Sequence, residues 1–133
     1  VLSNTEFMGV LQPGDHGSTF GGNPLAAAVA RTALKVLIEE GMIENAVTMG
    51  AHFADGLHQI KQPLIKEIRG KGLMIGMEFF PEAGDVRHYV RKMMGAGLLC
   101  KETHKHIIRF APPLVITRNE INWALERIEK VLV

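Results

Sequence analysis

The chain has 133 residues, 47% of them hydrophobic, and carries 15 Lys and Arg against 14 Asp and Glu for a formal charge of +1. That balance, with no basic cluster anywhere, leaves no electrostatic footprint for a nucleic-acid backbone. A single cysteine, Cys100, excludes an internal disulfide and fits a reducing, cytoplasmic setting.

No apolar run approaches the roughly 20 residues that span a bilayer. The chain opens on Val1 rather than Met, with polar Ser3, Asn4, Thr5 and Glu6 where a signal-peptide core would stand, so a piece of a longer protein is expected. The first 15 residues read as an extended piece and a loop. They close on Gln12-Pro13-Gly14-Asp15, where Pro fixes one φ and Gly supplies the reversed one of a turn. Four glycines between Gly14 and Gly22 then forbid regular structure and allow a close backbone approach.

Asn23 and Pro24 start a helix, Asn as cap and Pro at the first helical position. Leu25 to Val29, Ala33, Leu34, Leu37 and Ile38 make it apolar nearly all round, which predicts burial on most faces until Gly41 stops it. A second, amphipathic helix is expected from about Ile43 to Ile60, before Pro63. The period then changes: Leu64 to Arg69 and Leu73 to Phe80 read as two strands joined through Gly70-Lys71-Gly72. Val86 to Met94 marks a helix ended by Gly95-Ala96-Gly97. Leu98 to Lys101 and His106 to Phe110 read as two more strands, and Thr117-Arg118-Asn119-Glu120 is a capping box opening the last helix. The order suits an α+β layer, a mostly antiparallel sheet with helices on one face. The domain boundary is expected at the end of the first helix, giving 1–40 and 41–133.

Ser18 and Thr19, adjacent hydroxyls amid unobstructed backbone N–H groups beside a helix N-terminus, form a combination that binds phosphate, although a glycine turn that merely positions the helix has the same composition. Arg109 is flanked by apolar residues on an expected strand. It fits either a bidentate grip on a substrate carboxylate or an internal ion pair, for which Glu78 is the candidate. His104 and His106, two apart on that strand, raise a metal site but lack a third ligand of matching spacing. Gly70-Lys71-Gly72-Leu73-Met74-Ile75-Gly76 has the wrong spacing for a dinucleotide loop. Cys100 has no base beside it and reads as a near-core thiol.

The run Pro13-Gly14-Asp15-His16-Gly17-Ser18-Thr19-Phe20-Gly21-Gly22-Asn23-Pro24-Leu25 resembles the segment that follows the Schiff-base lysine in class III pyridoxal-phosphate aminotransferases. Arg69 to Gly76, Gly97 to His104 and Ile108 to Ile116 extend the resemblance over essentially the whole chain and are most similar to the ornithine branch of that family. The resemblance implies a fold-type I enzyme of which residues 1–40 end the large cofactor domain and 41–133 form the C-terminal small domain. It implies pyridoxal 5'-phosphate as cofactor, with Ser18 and Thr19 reaching the cofactor phosphate of the neighbouring subunit in a homodimer. Arg109 matches the family arginine that grips the α-carboxylate of a 2-oxo acid or glutamate.

The implied reaction moves the δ-amino group of ornithine to 2-oxoglutarate, giving glutamate 5-semialdehyde and glutamate. Acetylornithine and 4-aminobutyrate aminotransferases share this layout, and a non-catalytic self-association module built on the apolar first helix is the alternative from another class. None of the lysines present stands in the Schiff-base motif, which is expected upstream of Val1, so these residues alone are expected to be inactive.

Overall fold

The structure, a computed structural model, describes residues Ser3–Val133. They divide into two compact units, 1–36 and 37–133. In the first, a single helical turn, α1 (Thr5–Met8), replaces the extended start expected from the sequence. Its reason is local: the Asn4 side chain accepts a hydrogen bond from the Phe7 N–H at 3.3 Å and so caps the turn. The expected turn forms, with the Asp15 N–H donating to Gln12 O at 3.0 Å and Gly14 at φ +99°.

Helix α2 (Pro24–Glu39) starts where the sequence predicts, with the Ala26 N–H donating to Asn23 Oδ1 at 2.9 Å. It contains no buried residue, and Leu25, Val29, Leu34 and Ile38 are all exposed. The burial that its composition predicts is therefore not met within residues 3–133. Gly41, at φ +64°, serves as the N-terminal cap residue of the next helix, so only Glu40 and Gly41 separate the two helices.

In the second unit, α3 (Met42–Gln59) leads into β1 (Ile65–Lys71) and β2 (Met74–Phe79), then α4 (Arg87–Gly95), β3 (Lys101–Thr103), β4 (Ile107–Phe110) and α5 (Arg118–Leu132). The strands form one antiparallel sheet in the order β1-β2-β4-β3. The β1–β2 connection is the tight one of the two forms the glycines allow, because Lys71 pairs with Met74 and leaves Gly72-Leu73 as the turn, with Gly72 at φ +54°. A bulge lies instead between Ile65 and Glu67. Strand β3 begins at Lys101, three residues later than the apolar run suggested. Leu99 is exposed, so its apolarity there does not reflect pairing.

Alternation places Ile75, Met77 and Phe79 of β2 and Ile108 and Phe110 of β4 on one face, where they pack with Phe53 and Leu57 of α3, Met93 of α4, and Ile121 and Ile128 of α5. Phe53 meets Phe110 edge-on with ring centroids 5.5 Å apart. Each such side chain contributes about 1.5–3 kcal/mol by leaving water, which fixes the helices on this face and leaves the other open. The α3 backbone comes so close to the hairpin that a Cβ on Gly50 would collide with the carbonyl group of Gly72. No helix among the described residues is long and apolar enough to cross a membrane.

Candidate functional site

The open face of the sheet carries Arg109 and Glu78, two of the polar residues that sequence reasoning singled out. Arg109 lies between buried Ile108 and Phe110 on β4, so its side chain stands on the opposite, exposed face. Its register partners are Gly76 on β2 and Lys101 on β3. Arg109 makes no hydrogen bond or ion pair among the described residues.

Glu78, the candidate internal partner, is engaged elsewhere. Its Oε1 accepts from Lys66 Nζ at 2.6 Å and its Oε2 from Arg69 Nη1 at 2.5 Å, and Arg69 also donates to Glu67 Oε2 at 2.7 Å. The hydrogen bonds from Lys66 and then Arg69 hold the Glu78 carboxyl below its ordinary value. The acid on this face is thus neutralised along β1, and the guanidinium on β4 is left without an internal counter-ion.

The glycine loop belongs to the first unit and Arg109 to the second. Ser18 Oγ accepts the Gly21 N–H at 3.0 Å, and Asn23 Nδ2 donates to Phe20 O at 2.7 Å, so the loop is folded back on itself while staying exposed. Open space surrounds the positions a Cβ would take on Gly17 and Gly22, which leaves the backbone there approachable. Two hydroxyls and free backbone N–H groups ahead of a 16-residue helix suit a phosphate group in chemistry and charge.

His104 and His106 do not share the side of a strand. His104 and Lys105 have positive φ, 53° and 64°, and turn the β3–β4 hairpin, while His106 Nδ1 lies 3.0 Å from the Gly84 carbonyl. Among the described residues no group of three or more His, Cys, Asp or Glu is placed to hold a metal ion. Cys100 is half-buried with its thiol donating to Met93 Sδ at 3.6 Å.

Sequence reasoning missed Lys101 as the direct neighbour of Arg109. Only the strand register brings the two together, and no periodicity in Leu98 to Lys101 announced it.

The sequence profile described as Aminotransferase class-III matches residues 1–132. The chain belongs to the class III aminotransferases. It is 53% identical over 131 residues to the ornithine aminotransferase of Geobacillus sp. (strain WCH70), covering 98% of this chain and 32% of that protein. Among solved structures, the ornithine aminotransferase of Toxoplasma gondii, crystallised with oxidised glutathione and showing partial PLP occupancy at its active site, superposes with a TM-score of 0.83 at 48% identity. That match covers 94% of this chain and 30% of the other. Acetylornithine aminotransferase from Elizabethkingia anophelis also superposes at 0.83, with 41% identity, 98% of this chain and 35% of that one. The chain spans about a third of the length of the curated relatives it matches.

Proposed function

We propose that residues 1–133 are the C-terminal third of an ornithine aminotransferase, with residues 1–40 completing a cofactor domain and 41–133 forming the small domain. The observation that carries the reading is the state of Arg109: exposed, without an internal acid, and flanked by a glycine on the adjoining strand. A guanidinium so placed offers two parallel N–H donors to a carboxylate from outside the fold. The matching ornithine aminotransferases, at about half identity, support the ornithine branch.

In this reading Ser18 and Thr19, with the backbone N–H groups of their loop, hold the phosphate of pyridoxal 5'-phosphate in a homodimer. When bound, the cofactor supplies the electron sink that allows an amino group to leave one carbon and be received by another. Arg109 binds the α-carboxylate of 2-oxoglutarate or glutamate and sets the orientation of the carbon beside it. The lysine of the reaction is supplied from outside these residues.

The test is Arg109→Gln in the full-length enzyme. Loss of a bidentate charged contact raises the KM for 2-oxoglutarate about 10- to 100-fold. An unchanged affinity for the oxo acid overturns the assignment. The acetylornithine aminotransferase likeness supports a second reading of the donor, decided by comparing ornithine with N-acetylornithine as amino donor.

A further inference from the structure

Lys101 and Arg109 are direct partners in the antiparallel β3–β4 pairing, so their side chains rise from the same face with Cα atoms about 4.5–5.5 Å apart. Like charges set opposite one another destabilise a strand pair. Among the described residues no acid on this face offsets both. Glu78 is held by Lys66 and Arg69, and the other flank of Arg109 is Gly76. Glu102, next to Lys101 in sequence, pairs with buried Ile108 and so belongs to the opposite face. There its Oε1 accepts from Arg87 Nε at 3.3 Å and from Lys101 Nζ at 3.5 Å, so the Lys101 ammonium is paired, at the long end of hydrogen-bond distance, with an acid that Arg87 already engages. The Lys101 side chain is 65% exposed on the edge strand, and its long, solvated pair with Glu102 is one it can leave for a ligand at small cost.

We propose that Lys101 is a second cation of the carboxylate subsite, acting with Arg109 on one carboxylate of the 2-oxo acid. The inference rests on the assignment of Arg109 made above. Arg109 supplies the planar, bidentate contact, and Lys101 a rotatable point charge from the side, so that a single anion relieves the repulsion of both. The chemistry also fixes which substrate feels it. The 2-oxo acid carries its α-carboxylate directly on the reacting carbon. Ornithine reacts at the δ-carbon, which stands its carboxylate three carbons further away. Lys101 therefore serves the oxo acid half of the reaction.

The experiment measures the two half-reactions separately in the full-length enzyme, using 2-oxoglutarate and ornithine with the variants Lys101→Gln, Lys101→Arg and Arg109→Gln. Lys101→Gln is expected to weaken 2-oxoglutarate about three- to fivefold more than ornithine, as befits a partly solvated charge. Lys101→Arg restores most of the loss, and high salt shrinks the difference. If Arg109→Gln weakens the oxo acid and Lys101→Gln does not, Lys101 is a solvated edge-strand lysine and the proposal falls alone. Equal loss in both half-reactions for Lys101→Gln marks a general structural effect and also overturns it. If Arg109→Gln itself leaves the oxo acid unaffected, the assignment of Arg109 fails and takes the proposal with it.

Discussion

Gly76 stands directly opposite Arg109 across the β2–β4 pairing and leaves one flank of the guanidinium bare. A Cβ at Gly76 would meet Ile107 Cγ2 at 3.6 Å and Arg69 O at 3.9 Å, ordinary contacts that the sheet tolerates. The glycine is therefore not demanded by packing. Gly76→Glu places a carboxylate beside Arg109 that competes with a bound one, and a cross-strand charge pair of this kind raises the oxo acid KM about fivefold. Gly76→Ala, which adds volume and no charge, is expected to stay near the parent value. Equal effects of the two variants in steady-state assays would show that bulk rather than charge governs this flank.

Glycines elsewhere differ in what surrounds them, and the differences separate packing from propensity. At Gly50 a Cβ collides with the Gly72 carbonyl group, backbone that cannot step aside, whereas at Gly95 it meets nothing within 4 Å. Gly50→Ala gains the helix preference of alanine but loses more to overpacking, for a net destabilisation of about 1–3 kcal/mol. Gly95→Ala, at the last position of α4, is expected to be neutral or stabilising by up to about 0.5 kcal/mol. Thermal melts of the two variants check the contrast, which fails if both shift the same way.

The elements legible in the sequence are those whose signals are local. Asn23-Pro24 and the Thr117 to Glu120 box fixed two helix starts, and the alternation in Ile75 to Phe79 marked the buried strand face. Leu98 to Lys101 misled because an exposed leucine and a paired one look alike in a short apolar run. His104 and His106 misled for a different reason: left-handed backbone at His104 and Lys105 turns the hairpin there without any glycine to announce it. Arg109 could be singled out from its apolar neighbours, but its freedom from Glu78 depended on Lys66 and Arg69 meeting that acid across the β1–β2 pair. Register is set by turns and by the whole apolar pattern, so Lys101 beside Arg109 emerges only once the sheet is built.

Cys100 is expected to be slow toward alkylating agents. Burial, and secondarily the Glu102 carboxylate, push its thiol up to about 11. Only the thiolate reacts, so at pH 8 iodoacetamide should modify it on the order of a hundredfold more slowly than an unhindered cysteine. Glu102→Gln removes only the lesser cause and is expected to restore little of the rate. Prompt modification of the native protein, followed by mass spectrometry, would contradict the buried thiol.

The start of α5 should confer a stability term that disappears in acid. Thr117 Oγ1 accepts the Glu120 N–H at 3.4 Å, while Glu120 Oε2 accepts from the Thr117 N–H at 2.8 Å and from its hydroxyl at 2.7 Å. The hydroxyl bond first, then the backbone bond, lowers the Glu120 carboxyl from its ordinary 4.5. A carboxyl lowered in the folded state stabilises the fold fully above its unfolded value, and that contribution is lost as the pH falls through the folded one. Glu120→Gln should therefore narrow the stability difference between neutral pH and pH below 4.5. Thr117→Ala removes the cap itself at a cost of about 1 kcal/mol. Denaturant melts of parent and variants across this range decide it, and an identical pH slope for parent and Glu120→Gln would remove the carboxylate from the cap.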